Sequence, residues 1–468
     1  MIYISLKFYL FVILLLIIYY VFPLKYRWVT LLIGNGIFYW LFYKTGWWIL
    51  SATIITSWIT AIYISKFQGK RKGLFLFVGI LLVIMPWFVI KNGNCFLHDL
   101  MNRAEISWIV PLGISFYTLQ VISYLVDVYK GKIEPQGNLA KYALFVSFFP
   151  QLVQGPIPRY AQLEPQLVNG DAFDEKKVIR GFSFIIYGFF LKLVIADKAA
   201  VIVNMVFDNY PAYSGCYIWL ASFLYSIQLY ADFLACTTLA RGTALLFGIE
   251  LMDNFRQPYL ADSVKDFWRR WHISLSSWLR DYIYIPLGGN RKGKFRKQIN
   301  LLLTFLFSGL WHGAGVKYIV WGGIHAFYQI GEDLIIDRKN VKIGKWGKRI
   351  LIFFMVNFAW VIFRAESLRT GISMLKHMVT DLNPWILFND RIFTLGLDWK
   401  EIAVLIAAII LLFYIDQKHE RGFSFSEAIM QRSIPFRWLI YIGAIAGIMI
   451  LGTYGYGFNA QDFIYGGF

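Results

Sequence analysis

The chain has 468 residues, of which 58% are hydrophobic, 19% aromatic and only 16% charged, and its net charge is +18. Soluble domains carry about 25% charged residues, so the composition excludes an ordinary soluble globular protein and implies helices that cross a bilayer. In such a chain the basic excess belongs to cytoplasmic loops rather than to nucleic-acid binding.

The first apolar stretch, 4–22, has the look of a signal sequence. It lacks a small-residue cleavage site and more spans follow, so it reads as retained. Further candidate spans lie at 29–44, 47–65, 73–90, 108–127, 180–200, 214–232, 318–336, 350–365, 401–416 and 434–454. Three more apolar stretches, 141–155, 237–250 and 299–311, are shorter or interrupted and read as dipping in or crossing in part. The predicted fold is all-α: a polytopic integral membrane protein with about eleven crossings plus re-entrant or short helices. No linker or composition break divides it, so 1–468 is expected to form a single integral domain. An amphipathic segment at 366–379 precedes an expected outer loop near 380–400. Cys95, Cys216 and Cys236 form neither a CxxC nor a zinc spacing and read as free thiols.

Charge sets the topology. Basic clusters follow the third span (Lys66, Lys70, Arg71, Lys72), precede 299–311 (Arg291, Lys292, Lys294, Arg296, Lys297) and follow 318–336 (Arg338, Lys339, Lys342, Lys345, Lys348, Arg349). All three are expected in the cytoplasm, which puts both termini outside. Residues 298–311 rise only about 20 Å as helix, short of a core of about 30 Å. His312 is therefore expected at the tip of a hairpin within the membrane, with Gly309, Gly313 and Gly315 allowing a tight turn and close helix approach.

The chain has six histidines, and two of them stand in the dipeptides Trp271-His272 and Trp311-His312. Imidazole in an apolar run costs free energy unless it has a partner or a task. His312 reads as a general base taking the proton of an attacking hydroxyl, or else as a structural histidine bonded to a helix carbonyl. His272 falls on a predicted amphipathic helix from about Ser263 to Tyr282, capped by Asp262 or Ser263. Arg269, Arg270 and Arg280 on it would reach lipid headgroups. It reads as a second acid–base or orienting group for His312, or as an incidental residue of an interfacial helix. GPIPR at 155–159 reads as irregular backbone embedded in protein, or as a surface loop. Asp232 would pair with an arginine or orient His272. Gly288–Lys294 spells GxxxxGK, but Phe295 stands where a P-loop needs Ser or Thr. No motif supports a metal site or a serine-hydrolase elbow.

Several runs resemble the membrane-bound O-acyltransferase family, in particular its bacterial alginate O-acetyltransferase-like branch. They are PLGISFYTLQVISYLVDVYKG (111–131), FFPQLVQGPIPR (148–159), GFFLKLVIADKAA (188–200), NFRQPYLADSVKDFWRRWHISLSSWLRDYIYIPLGGNR (254–291), SGLWHGAGVKYIVWGGIHA (308–326) and WVIFRAESL (360–368). The resemblance implies a ring of tilted helices around a thin centre, with a funnel or tunnel meeting near the catalytic histidine of the WHG motif, here His312. The histidine of RWHxSxxxW, here His272, is the second position it implies. It also implies acyl transfer from a cytoplasmic thioester to a hydroxyl reached from the other side, with a separate extracytoplasmic SGNH-type acyltransferase and a polysaccharide acceptor. The tail FIYGGF (463–468) resembles the aromatic motif of the small partner in teichoic-acid D-alanylation, which makes Tyr465 a candidate acyl carrier in an extracytoplasmic tail. Gly466-Gly467 departs from the bulkier residues expected there. Leu234-Ala235-Cys236 departs from the Ser/Ala-Gly-Tyr that usually follows YADF.

Together these readings describe a multi-pass enzyme of the bacterial plasma membrane that O-acylates an envelope or secreted polysaccharide. No bound cofactor is expected, and acetyl-CoA is the expected acyl donor. D-alanyl transfer from a carrier-protein thioester is the nearest alternative. A polysaccharide transport or scaffold subunit is the non-enzymatic one.

Overall fold

In a computed structural model, which describes residues 2–95, 110–336 and 344–454, every regular element is helical. Six of the described helices are long and apolar enough to cross a membrane: Trp47–Lys66, Gly69–Gly93, Glu175–Asp208, Gly215–Leu246, Lys345–Arg364 and Ile434–Leu451. The chain resolves into two units.

The first unit holds the chain up to Ile185, together with Thr237–Asp253. Its helices are α1 (Leu6–Val21), α2 (Arg27–Phe42), α3 (Trp47–Lys66), α4 (Gly69–Cys95), α5 (Ile114–Tyr129), α6 (Leu139–Ser147), α7 (Phe149–Leu152), α8 (Tyr160–Asn169) and most of α9 (Glu175–Phe189). The interrupted stretch 141–155 is two short helices followed by irregular backbone, with Gly155–Pro158 buried. Gly155–Pro158 of GPIPR is thus enclosed in protein and is not a surface loop, while Arg159 is half-buried. Buried side-chain amides serve the backbone here. The Phe149 N–H is diverted to Asn35 Oδ1 (3.1 Å), and Gln120 Nε2 donates to the Phe145 carbonyl left behind (2.8 Å). At Gly155 a Cβ would lie 2.5 Å from the Gln151 backbone, so no larger residue fits.

The second unit holds Ile186–Cys236 and the chain from Asn254 onward. A π-helical turn, Phe190–Ala196, leads into α10 (Asp197–Asp208). Next come α11 (Gly215–Leu246, its last turns counted with the first unit), α12 (Val264–Arg270), α13 (Ile273–Leu279), α14 (Gly293–His312), α15 (Val316–Ile336), α16 (Lys345–Arg364), α17 (Leu368–Thr380), α18 (Trp399–Glu420), α19 (Phe425–Met430) and α20 (Ile434–Leu451). The amphipathic segment expected at 366–379 is α17. The loop after it holds two 3₁₀ turns, Pro384–Phe388 and Asp390–Thr394.

Two sequence expectations change here. The stretches 214–232 and 237–250 are largely one 32-residue helix, because no breaker stands between them and the first left-handed glycine is Gly248 (φ +82°). The helix expected at Ser263–Tyr282 is broken: α12 ends at Arg270, Trp271 is extended, and His272 is left-handed at φ +46°. Helical periodicity carried no trace of that break, because neither glycine nor proline marks it.

Buried polar side chains tie α11 to its neighbours. Asn357 of α16 donates to the Ser222 carbonyl and to Ser226 Oγ (both 2.8 Å). Tyr230 donates to Asp416 of α18 (3.0 Å), and Tyr259 donates to the Ser226 carbonyl (2.7 Å). Each satisfies polar atoms that would otherwise cost about 1–3 kcal/mol when buried.

Candidate active site

α14 and α15 form an antiparallel hairpin joined at Gly313–Gly315, with His312 as the last residue of α14. The helices meet closely through glycines. A Cβ at Gly309 would lie 2.2 Å from the Tyr318 carbonyl oxygen, and one at Gly322 the same distance from that of Phe305. At the far end of the hairpin Lys297 is paired with Asp333. The expected hairpin tip at His312 is therefore present. Its first helix is longer than 298–311, because the basic residues from Lys294 onward are helical.

His312 is 1% exposed and walled by rings. Trp311, Trp321 and Phe363 lie 4.9, 5.1 and 5.5 Å from it between centroids, all nearly edge to face. Trp321 stacks on Trp360 (5.6 Å), which packs against Trp271 (5.2 Å). α14, α15, α16 and the segment before α13 thus share one aromatic core.

His272 is fully buried where α12 breaks. Its ring packs against Phe233 of α11 (4.7 Å) and Trp311 (5.9 Å). The Trp311 indole therefore touches both imidazoles that the sequence singled out. Burial pushes the His272 pKa down to about 3, which favours the neutral imidazole. The left-handed backbone at a β-carbon-bearing residue costs on the order of 1 kcal/mol, and such strain collects at functional positions.

Ser263 caps α12, accepting from the Asp266 N–H (2.9 Å), as the sequence allowed. Arg270 does not stand clear for headgroups: it pairs with Asp266 and, through both terminal nitrogens, with Glu420. Asp232 pairs with a lysine instead of an arginine. Lys192, on the π-helical turn, lies 2.7 Å from Asp232 and 2.9 Å from Asp197, and all three side chains are 2% exposed. This triad is one residue from Phe233, the ring packed on His272. Among the described residues Cys216 and Cys236 are free thiols. Tyr465 and the tail 463–468 lie outside the described residues.

Two participants went unread in the sequence. His325 of α15 is fully buried. It accepts from Trp268 Nε1 (3.3 Å) and packs on Trp321 (5.0 Å), the same indole that faces His312. The argument applied to the other two histidines would have found it, since it too interrupts an apolar run. Asn254 lies beside His272, and an asparagine 18 positions earlier gives no sign of that.

Helices fit to cross a membrane, a buried hairpin tip, and two enclosed imidazoles on one indole are parts that a membrane enzyme moving a proton to or from a hydroxyl would need. The chain belongs to the membrane-bound O-acyltransferase family, MBOAT, whose profile matches residues 136–375. It is 37% identical over 380 residues to the probable alginate O-acetylase of Pseudomonas putida, an alignment covering 76% of each chain. It is 35% identical to the peptidoglycan O-acetyltransferase of Helicobacter pylori, over 71% of this chain and 69% of that one. The teichoic acid D-alanyltransferase of Bacillus subtilis is more distant, 28% identical over 68% of this chain and 85% of that one. The chain is thus an O-acyltransferase and a multi-pass bacterial membrane protein, and the reading as a transport or scaffold subunit falls away.

Proposed function

We propose that the chain transfers an acetyl group from acetyl-CoA, bound from the cytoplasm, to a hydroxyl that reaches His312 from the opposite side. The product feeds O-acetylation of an envelope or secreted polysaccharide, with an extracytoplasmic SGNH-type acyltransferase as partner. In this reading His312 Nε2 takes the hydroxyl proton as the oxygen attacks the thioester carbonyl. The tetrahedral intermediate expels the thiolate, which recovers the proton from the imidazolium. General-base assistance of this kind contributes about 10²–10⁴-fold. His272 assists as a neutral hydrogen-bonding group. About eleven crossings around a central funnel, with both termini outside, would let donor and acceptor arrive from opposite faces.

The observation that carries the reading is the enclosure of His312 and His272 around one indole. The relatives' acetyl chemistry supports acetate over D-alanine, since the D-alanyltransferase is the more distant match. Tyr465 is proposed as the acceptor in cis. Its phenol would take the acetyl group and release it readily, because phenoxide leaves more easily than an alkoxide.

The test is the intact mass of the C-terminal peptide after incubation with labelled acetyl-CoA, in wild type, His312→Ala and Tyr465→Phe. Label on Tyr465 that disappears in both variants supports the relay. Polymer acetylated with no label on the chain removes Tyr465. Full transfer by a normally assembled His312→Ala removes the base.

A further inference from the structure

Asn254 grips three consecutive residues at the break between α12 and α13. Its backbone carbonyl accepts from the Ile273 N–H (2.9 Å), and its side-chain Oδ1 accepts from the Ser274 N–H (3.0 Å). The same Oδ1 lies 3.3 Å from His272 Nδ1. Two positions upstream of His272 and two downstream of Asn254, the Arg256 N–H donates to the Arg270 carbonyl (2.9 Å), so residues 254–256 run alongside the break. Asn254 is 2% exposed, and His272 and Ser274 are fully buried.

This geometry decides a question that heavy atoms ordinarily leave open, namely which amide atom and which ring nitrogen carry protons. The Ser274 N–H can only donate, so the atom facing it must be the amide oxygen. Turning the amide over would set NH₂ against N–H in a buried place, at about 1–3 kcal/mol. The oxygen so fixed can only accept, so the imidazole nitrogen beside it must bear hydrogen. In a neutral ring the other nitrogen then carries the lone pair.

We infer that Asn254 is a positioning residue that locks His272 in the Nδ1–H tautomer and presents Nε2 as the acceptor. The inference rests on the proposed function only in giving His272 a part in the reaction; the tautomer itself does not depend on it. The left-handed backbone at His272 fits this role. A residue in that conformation needs its neighbours to hold it there, and Asn254 bonds to the residue itself and to the two that follow. The rings packed on the imidazole, Phe233 and Trp311, are uncharged. The ionisable groups next to them along α11 and α14 are Asp232, held by Lys192, and His312.

The test is ¹⁵N solid-state NMR of the histidine-labelled full chain in bilayers, with the His272 signal assigned by its loss in His272→Gln. The expected pattern is Nδ1 protonated and Nε2 bare in wild type, with a mixture of tautomers in Asn254→Leu. Protonation at Nε2 in wild type overturns the inference. In the transfer assay, normalised to folded protein, Asn254→Leu is expected to lose about 10- to 100-fold in kcat with KM within about twofold. Asn254→Asp keeps the acceptor, so it should recover most of that loss. A purely structural Asn254 would leave kcat per folded protein unchanged in every folded variant, and this outcome also overturns the inference. Full activity of His272→Gln would instead defeat the proposed role of His272 while leaving the tautomer assignment standing.

Discussion

The substitution Gly309→Ala probes whether close packing of the α14–α15 hairpin places the imidazole of His312, the proposed general base. The new Cβ would lie 2.2 Å from the Tyr318 carbonyl oxygen, whereas ordinary contact begins near 3.4 Å. The obstructing atom is backbone, so it cannot rotate away, and the helices must part by about 1 Å. Overpacking of this kind costs about 1–3 kcal/mol. Alanine returns up to about 1 kcal/mol of helix propensity, so the net loss of stability is modest. The catalytic loss is not modest. His312 lies three residues on, at the end of the same helix, and a displacement of about 1 Å costs about 100-fold in rate. Gly331→Ala is the matched control on α15, since nothing lies within 4 Å of its Cβ. It should gain slightly in stability and keep its activity. The assay is labelled acetyl transfer in vesicles beside a thermal unfolding scan in detergent. Gly322→Ala, whose Cβ meets the Phe305 carbonyl at 2.2 Å, should follow Gly309→Ala. Wild-type turnover in a folded Gly309→Ala protein would refute the claim that this approach sets the position of His312.

Two further outcomes are expected. His272→Ala and His272→Gly should both lose the imidazole's contribution to transfer, but the glycine variant should unfold later, by about 1 kcal/mol, because only alanine suffers at φ +46°; equal stabilities would show that the backbone there is unstrained. Lys192→Met should destabilise the chain by about 3–5 kcal/mol, since it leaves two buried carboxylates facing each other, whereas Asp232→Asn should cost less because Lys192 keeps Asp197; a thermal scan that ranks them the other way would exclude the ion triad.

The sequence by itself settled the solvent and most of the secondary structure, and it singled out the two Trp-His histidines. Apolar runs of helical length can only be satisfied in a bilayer as helices, so most segments from α1 to α20 were legible before any coordinates. His312 at a hairpin tip was legible too, because basic clusters bracket the hairpin and glycines stand at its turn and close-packed face. Both follow from interactions local in the chain, namely composition, charge and the conformational freedom of glycine.

What the tertiary structure decided was which distant residues meet. The left-handed break at His272 carries no glycine or proline, and residues 18 positions away hold it in place. Trp311 as the ring shared by two histidines, Lys192 as the partner of Asp232, and His325 behind Trp321 depend on side chains far apart in sequence packing at van der Waals distance. Periodicity reports which face of a helix is apolar but is silent on what that face touches, and in a membrane protein nearly every face is apolar. The imidazoles could be found from the sequence, but their surroundings and orientation could be read only from the fold.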